Sequence, residues 1–422
     1  MNKKYLINIY SFFLFFAAVY ISSTPSYLAD NSSSYKDECI KCHVENDMMP
    51  EHYTENDIHW QKGLSCAGCH GGNPNETNEE LAMNKSNGFI GAPDKNEIPK
   101  FCGKCHSDIG KMQIYQARIP TDQVAQYYIS KHGQQLKIGN MDVATCTDCH
   151  TSHSILPASD TRSAVYAFNL PITCDHCHGN SELMGKYNME SNQLQEYSKS
   201  VHGIALLENQ DTGAPSCNDC HGNHGAKPPG VESISHVCGS CHVNNMNYFN
   251  NSIMAEEFSL LEIKACEQCH GYHLINKTND EMVNVGESST CTDCHSEGEE
   301  GYIAAEMMYD KINKLSVLYD STIVLSEKVN IMGMNNIEIE YSLKKIKQNL
   351  IQSRTLIHTF DTSKVFEKTN EGILESENAM QLADNEMVAY FERRLGYGIT
   401  TLILVLLALA LYWKIKSLKT KE

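Results

Sequence analysis

The sequence predicts a mostly α-helical protein with extensive irregular loops, which ends in a helical bundle and one C-terminal transmembrane helix. Three observations predict this class. The pentapeptide CxxCH occurs nine times between Cys39 and His295 of the 422-residue chain, about once in 29 residues. From Tyr302 onward there is no cysteine or proline, and apolar residues recur with helical spacing. An uncharged run of 18 residues from Gly396 to Trp413 is long enough to cross a bilayer.

The nine motifs account for all 18 cysteines of the chain. Two thiols three positions apart can form thioethers with the two vinyl groups of one haem, and the following histidine then lies under the iron. A redox dithiol or half of a zinc site would explain a single motif, but neither requires a histidine at the same place nine times. The sequence therefore predicts nine covalently bound haem c groups. The thioether residues are Cys39, Cys42, Cys66, Cys69, Cys102, Cys105, Cys146, Cys149, Cys174, Cys177, Cys217, Cys220, Cys238, Cys241, Cys266, Cys269, Cys291 and Cys294.

Each motif also supplies a proximal iron ligand. About 29 residues for each haem cannot enclose every porphyrin in a conventional apolar core. We therefore expect short helices and irregular connections wrapped around the haems, with little sheet. The proximal ligands are His43, His70, His106, His150, His178, His221, His242, His270 and His295.

The remaining histidines match the number of irons. Ten of the 19 histidines are not proximal, and His176 lies inside its own CxxCH loop, where it cannot easily reach a distal face. Nine candidates for nine distal positions predict bis-histidine coordination, which favours low potentials. One or two of the 17 methionines are an alternative. The distal candidates are His52, His59, His132, His153, His202, His224, His236, His273 and His358.

Two local patterns repeat around the motifs. His132-Gly133 and His202-Gly203 each precede a motif that is extended to CxxCHxxH. The extension gives His153 and His224 after these two motifs. The motif that begins at Cys266 has the same extension, which gives His273, but lacks the upstream His-Gly. Each extra histidine lies one helical turn beyond the proximal histidine, so the two cannot bind opposite faces of the same porphyrin. We expect each of them to reach the iron of a neighbouring haem, in a serial array built from one repeated unit.

Both ends of the chain indicate location. Lys3 and Lys4 precede an apolar run from Leu6 to Ile21, the layout of a secretory signal, although an uncleaved anchor is an alternative. At the other end, four lysines follow the apolar run and two arginines precede it, which places the C-terminus in the cytoplasm and the body of the chain outside.

The region after the last motif predicts three helices. The first begins near Tyr302 and ends at a turn marked by Gly333, and the second runs from about Ile337 to His358. The third begins near Lys364 and continues towards the membrane run. His358 is the only histidine here. The predicted divisions are a signal peptide or anchor at 1–29, a nonahaem domain at 30–300, a helical bundle at 301–394, a transmembrane helix at 395–413 and a basic tail at 414–422.

The formal net charge is −18. Such an acidic chain is not expected to bind nucleic acid, which requires a basic surface, or to adhere to anionic lipid by charge alone. Solubility explains much of this charge, and steering of basic redox partners is a second explanation.

The serial motifs, the His-Gly steps ahead of CxxCHxxH and the doubled motif spacing resemble the multihaem cytochrome c superfamily, including cytochrome c3-like and membrane-anchored members. The resemblance covers about His52 to His295. It implies a multihaem cytochrome c array and, for the membrane-attached members, a quinol-oxidising cytochrome b as partner. Nitrite reductases of this group carry a lysine in place of one proximal histidine, whereas all nine motifs here end in histidine.

Three functions are consistent with these features. The first is a membrane-tethered extracytoplasmic electron conduit, between a quinol-oxidising membrane partner and soluble or surface redox proteins, with no catalytic residue. The second is a multihaem oxidoreductase acting on nitrite, hydroxylamine or a sulfur compound, which requires one open haem. The third is a structural subunit of a larger cytochrome assembly.

Overall fold

The protein is built from helices and irregular connections. A computed structural model describes residues 37–49, 53–54, 56–229 and 234–419, and these ranges contain no β-strand. The predicted fold class, mostly α with extensive loops, is confirmed. The predicted signal segment 1–29 and the candidate ligand His52 lie outside the described residues.

The helices before residue 300 are short, and none that is described exceeds nine residues. Short helices are typical of a chain whose packing partners are cofactors rather than long apolar faces. In chain order they are α1 Glu38–Glu45, α2 Ile58–Gln61, α3 Cys66–His70, α4 Glu79–Ala82, α5 Ile98–His106, α6 Ile109–Ile114, α7 Gln123–Ile129, α8 Lys131–Lys137, α9 Cys146–His150, α10 Leu170–His178, α11 Ser181–Gly185, α12 Gln193–Lys199, α13 Val201–Gly203, α14 Cys217–His221, α15 Ile234–Gly239, α16 Val243–Asn250, α17 Ile253–Leu260 and α18 Ala265–His270, with 3₁₀ turns at Lys85–Asn87, Lys95–Glu97 and Asp280–Met282 and a π turn at Ile204–Glu208.

Three long helices follow: α19 Glu300–Ile331, α20 Ile337–Leu356 and α21 Thr362–Lys419. The predicted turn at Gly333 is present, with φ +68°. The predicted end of the second helix is two residues too late. The α-helix stops at Leu356 because Ile357–Thr359 tightens into a 3₁₀ turn and Phe360 takes a left-handed φ of 52°. A phenylalanine gives no sequence signal for such a stop.

The three long helices pack around an apolar core. Met308, Ile312 and Leu315 of α19 recur at the three- and four-residue spacing of one helix face and are almost fully buried. They pack in one cluster with Ile346 of α20 and Val365 of α21. The helices approach closely at Gly372 of α21, since a Cβ there would lie 2.8 Å from the Leu315 side chain and 3.1 Å from the Cβ of Asn349.

The last part of α21 differs from the rest of the bundle. Among the described residues, α21 is the one helix that is long and apolar enough to cross a membrane. From Leu395 to Leu418 its large apolar side chains are exposed, and a helix satisfies its own backbone hydrogen bonds, as lipid requires. This helix could therefore span a membrane.

The chain divides into two compact units. The first comprises the described residues up to 125 together with 144–163, and it holds the motifs that begin at Cys39, Cys66, Cys102 and Cys146. The second comprises 126–143 and the described residues from 164 onward. It holds the other five motifs and all three long helices.

Candidate haem sites

The CxxCH motifs fold locally into one helical turn. The helices α3, α9 and α14 each consist of the five motif residues alone, and other motifs occupy the ends of α5, α10 and α18. Residues at positions i, i+3 and i+4 of a helix share one face, so the two thiols and the imidazole of a motif point the same way. Each turn therefore presents both attachment points and one iron ligand to the same space.

The same arrangement of hydrogen bonds caps the N-terminus of two of these turns. At α9 the Thr145 side chain accepts from the Asp148 backbone N–H, and Asp148 accepts from the Thr145 N–H at 2.7 Å. Ser216 and Asp219 make the same capping box at α14. After α3, α14 and α18 the chain turns away through a glycine with positive φ, for example Gly222 at +84°. At α9 the same position is Thr151, at φ +67°.

Six pairs of imidazole rings face one another, and every pair combines a motif histidine with a distal candidate. In unit one, the ring centroids of His59 and His106 are 6.0 Å apart and those of His153 and His70 are 6.3 Å apart. In unit two, the pairs are His132 with His178 at 6.1 Å, His202 with His242 at 6.2 Å, His273 with His221 at 6.1 Å and His358 with His270 at 6.1 Å.

This spacing fits a metal between the rings. Two metal–nitrogen bonds of about 2 Å each, plus the distance from each nitrogen to its ring centre, place two axial imidazoles with centroids about 6 Å apart. Ordinary aromatic pairs spread over a wider range of roughly 4.5 to 7 Å. The six pairs vary by only 0.3 Å although they come from different helices and loops. The arrangement fits a haem iron held on both sides.

The contacts of the ring nitrogens support the same arrangement. In six candidate ligands the Nδ1 atom faces a backbone carbonyl or a carboxylate, which leaves Nε2 for the metal, as is usual for ligand histidines. The contacts are His70 with Gly91 O at 2.8 Å, His358 with Thr355 O at 3.0 Å, His221 with Lys227 O at 3.3 Å, His59 with Asp57 Oδ1 at 3.4 Å, His295 with Glu299 Oε2 at 3.6 Å and His273 with Glu196 Oε2 at 3.8 Å.

The protonation state of several candidate histidines is also suitable for binding a metal. Burial lowers the pKa of His153, His202 and His273 among the distal candidates, and of His178 and His270 among the proximal ones. A lowered pKa favours the neutral imidazole at neutral pH, and the neutral ring is the form that binds metal.

The pairs cross between motifs in a regular way. His153 and His273, from the CxxCHxxH extensions, each face the proximal histidine two motifs earlier in the chain. His132 and His202 each precede a motif but face the proximal histidine of the following motif, which is His178 for His132 and His242 for His202. His59 follows the second rule, because it precedes Cys66 and faces His106. A candidate ligand from one segment therefore lies opposite the proximal histidine of another motif, and ligation itself stays a prediction.

The His-Gly steps have a steric reason. Ser130 donates its hydroxyl to Tyr127 O at 2.6 Å and accepts from the Gly133 N–H at 2.9 Å. Ser200 makes the same two hydrogen bonds at 2.7 and 3.0 Å around Gly203. In both places the glycine Cα lies so close to a tyrosine carbonyl that a Cβ would overlap with it. The glycine allows the tight turn that carries the adjacent histidine.

Neighbouring motifs touch through their first cysteines. The thiols of Cys102 and Cys146 share a hydrogen bond, which lowers the pKa of Cys102 and raises that of Cys146. The motifs in unit two are joined in the same manner by Cys174 with Cys217 and by Cys238 with Cys266. The first two motifs share Asp37, whose carboxylate accepts from the N–H groups of Cys39 and Cys66. Haems attached at such pairs would be held close to one another.

The cysteines of the first two motifs do not have the main feature of a redox-active dithiol. Burial raises the pKa of Cys39 and Cys66 to about 12, whereas redox-active thiols have a lowered pKa. No group of three or more His, Cys, Asp or Glu side chains in the described ranges has the geometry to hold a metal ion directly. The described residues therefore offer no zinc site built from thiolates.

Three proximal histidines are not brought against a distal candidate within one unit. His43 has His52 as its nearest candidate in the sequence, and His52 lies outside the described residues. His150 and His224 belong to different units, and ligation by His224 stays a prediction. His236 is exposed at α15, and the ring contacts among the described residues do not pair it with His295.

Asp57 is a functional residue that the sequence reasoning missed. Its carboxylate caps α2 by accepting from the N–H groups of His59 and Trp60, and it also accepts from the Ile155 N–H at 2.9 Å. Burial raises the pKa of Asp57, but hydrogen bonds with His59 and the Ile155 N–H outweigh that effect and lower it. One carboxylate thus joins the segments that carry His59 and His153. A helix-capping aspartate two residues before a histidine was the available signal.

Two family models match the chain. Cytochrome c3 matches residues 58–179, which include four of the motifs, and Cytochrome c554 and c-prime matches residues 22–71, which include the first two. No curated protein and no solved structure matches the chain. Together the matched ranges contain five of the nine motifs, and paired imidazoles also occur at three of the four remaining motifs. These two family matches support a multihaem c-type cytochrome, and the C-terminal apolar helix is consistent with membrane anchoring.

Proposed function

We propose that this protein is a membrane-tethered nonahaem cytochrome that passes electrons along a chain of haems on the extracytoplasmic side of a membrane. The observation that carries the proposal is the set of six imidazole pairs at 6.0 to 6.3 Å, each combining a motif histidine with a histidine from another segment. Every haem, when bound, supplies a one-electron couple of its iron. The chain fixes the position and surroundings of each iron.

The paired imidazoles would hold the irons in a way suited to electron transfer. Where two imidazoles bound one iron, they would leave no coordination position for a substrate and would favour a low potential. The Nδ1 contacts of His70 and His358 with backbone carbonyls fix the ring orientation and make the ligand more basic. A rigid, fully ligated site needs little rearrangement when the charge on the iron changes.

The order of the motifs in the chain supports a linear path. The first cysteines of consecutive motifs touch at Cys102 and Cys146 in unit one and at Cys238 and Cys266 in unit two. Other junctions bring second cysteines near the next motif, as with Cys220 beside Cys238. Within each unit, electrons would therefore move between haems in the order in which the motifs occur.

The terminal helix supports a membrane tether. Arg393 and Arg394 precede its apolar run and four lysines follow, which under the positive-inside rule supports a cytoplasmic tail and haems on the other side. The resemblance to membrane-attached multihaem cytochromes supports a quinol-oxidising partner in the membrane, such as a cytochrome b. Soluble or surface redox proteins would then be the acceptors.

The test uses the full chain, produced with haem-attachment machinery and purified in detergent. The intact mass should correspond to nine haems, and electron paramagnetic resonance of the oxidised protein should show predominantly low-spin iron. His132→Ala should convert one haem to high spin. His176→Ala is the matched control, because His176 is also beside a haem but is not a ligand candidate, and it should leave the spectrum unchanged.

Two results would refute the proposal. Colourless or zinc-loaded protein would remove the haems altogether. An unchanged spectrum of the His132→Ala protein would show that the facing imidazoles are not ligands.

A second candidate function is a multihaem oxidoreductase acting on a small nitrogen or sulfur compound. It requires one iron with an open position. The surroundings of His295 favour this second function at the haem attached at Cys291 and Cys294.

A further inference from the structure

The motif Cys291–His295 differs from the other motifs of the second unit. Four of the five proximal histidines there face an imidazole, and His295 does not face one among the described residues. His236 is one of the nine distal candidates, and the sequence alone does not assign it to a particular iron. His236 is exposed on α15 and makes no ring contact with His295, although both residues are described and lie in the same unit.

The proximal side of this site is well built. Glu299 Oε2 accepts from the Ser296 N–H at 2.8 Å and lies 3.6 Å from the Nδ1 of His295. Gly301, in the first turn of α19, lies against the same ring, because a Cβ at Gly301 would be 2.5 Å from Cε1, Nδ1 and Nε2. The imidazole is thus held between a carboxylate and a helix start, while one third of its side chain remains exposed to solvent.

The negative charge around the motif Cys291–His295 favours some small iron ligands over others. No lysine or arginine occurs in residues 278–310, and Asp293, Glu297, Glu299 and Glu300 surround the proximal histidine in sequence. These carboxylates are exposed, so their field reaches the solvent near the site. A negative field opposes an anion such as nitrite and has little effect on an uncharged molecule.

We infer that the haem attached at Cys291 and Cys294 is open on the face opposite His295 and binds a small uncharged ligand there, such as carbon monoxide, nitric oxide or hydroxylamine. This inference rests on the proposed haem attachment. It departs from the expectation that histidine fills both axial positions throughout. Such a ligand would donate an electron pair to the iron, so its binding would require no oxidation or reduction.

The experiment titrates the dithionite-reduced holoprotein in detergent with carbon monoxide and follows the Soret band. We expect one carbon monoxide per chain. Cys291→Ala/Cys294→Ala should abolish this binding and lower the covalent haem count by one. Cys238→Ala/Cys241→Ala is the matched control: it also removes one haem, but that haem has His202 facing His242, so carbon monoxide binding should persist.

The ligand class is tested on the oxidised protein. Hydroxylamine should perturb the spectrum at a concentration about tenfold lower than nitrite does, because several unit charges act on the anion alone. Raising the ionic strength should narrow this difference by screening. Equal affinity for nitrite and hydroxylamine at low salt would overturn the assigned ligand class.

Other outcomes decide the remaining points. A chain with nine haems that binds no carbon monoxide overturns the open site and leaves the proposed electron conduit intact. If binding then appears in His236→Ala, His236 is the missing ligand. Carbon monoxide binding that survives Cys291→Ala/Cys294→Ala overturns the assignment to this haem. A chain without covalent haem refutes the proposed function instead.

Discussion

The imidazoles of His270 and His358 lie with their centroids 6.1 Å apart and their planes only 19° from parallel. His270 ends the helix α18 of the motif region, whereas His358 sits in the 3₁₀ turn between α20 and α21. The bidentate ion pair of Arg354 with Asp280, at 2.7 and 2.8 Å, holds the same end of α20 against the segment after His270. The bundle therefore contributes a candidate ligand to the haem array.

Replacing His358 with alanine should open one haem. The ring of His358 is half-buried and its Nδ1 lies 3.0 Å from Thr355 O, and alanine at this position would leave no imidazole opposite His270. We expect one haem to become high spin and to bind carbon monoxide, in addition to any carbon monoxide bound by the wild type. His358→Met should instead keep a low-spin iron at a higher potential, since thioether ligation raises the potential.

The matched control for this prediction is His176→Ala, which removes a histidine from the motif region without removing a candidate ligand. If the spin state and the carbon monoxide stoichiometry of His358→Ala equal those of the wild type, His358 is a structural residue of the bundle.

The attachment residues could be predicted from the sequence because each site is local. Two cysteines and a histidine within five residues form one helical turn wherever they occur, so packing does not affect their identity. The distal partners could not be assigned in this way. His59 is seven residues from Cys66 yet faces His106, and the step over one motif depends on how the intervening loop folds.

The long helices show the same distinction. Periodic apolar residues and the absence of proline predicted α19 and α20, and Gly333 marked the turn between them. The end of α20 was missed because the left-handed residue is Phe360 rather than glycine or asparagine. The role of Asp57 was also missed, since its contact with Ile155 joins segments 98 residues apart.

The glycine of the His-Gly step should be essential for the site that it serves. In Gly203→Ala the added Cβ would overlap with Tyr197 O, a backbone atom that cannot rotate away. We expect displacement of His202 and appearance of one high-spin haem, together with a loss of about 1–3 kcal/mol of unfolding free energy. The measurements are electron paramagnetic resonance and denaturant unfolding.

Gly185→Ala is the control for this substitution. Gly185 ends the helix α11 and has no heavy atom within 4 Å of an added Cβ. Its spectrum and stability should stay close to those of the wild type. A Gly203→Ala protein that behaves like this control would show that the close approach at Gly203 is dispensable.

Thr151 should be a site at which the protein can be stabilised. Its φ of 67° and ψ of 171° lie in a region that is essentially restricted to glycine, and glycine occupies the equivalent position at Gly71, Gly222 and Gly271. Thr151→Gly removes this strain but loses the hydrogen bond from the hydroxyl to His153 O, at 2.9 Å on an exposed surface. We expect a net gain of about 1 kcal/mol in unfolding free energy.

The reverse change provides the test of this explanation. An added Cβ at Gly222 would have no neighbour closer than 3.7 Å, so Gly222→Ala introduces backbone strain without a steric clash. Unfolding free energy should fall by about 1–3 kcal/mol. If Thr151→Gly destabilises the protein while Gly222→Ala has no effect, the positive φ at this position does not cost free energy.

Gly301→Ala should perturb the haem attached at Cys291 and Cys294 more than any other. In the loaded protein the iron holds the His295 ring in place, so the ring cannot rotate away from a Cβ placed 2.5 Å from three of its atoms. The imidazole must tilt, which weakens the proximal bond, and an open iron has no second imidazole to compensate. We expect a shift in the carbon monoxide difference spectrum at unchanged stoichiometry, faster release of carbon monoxide, and unchanged low-spin signals from the other haems. Release kinetics after flash photolysis measure this directly, and release as slow as in the wild type would mean that Gly301 does not position His295.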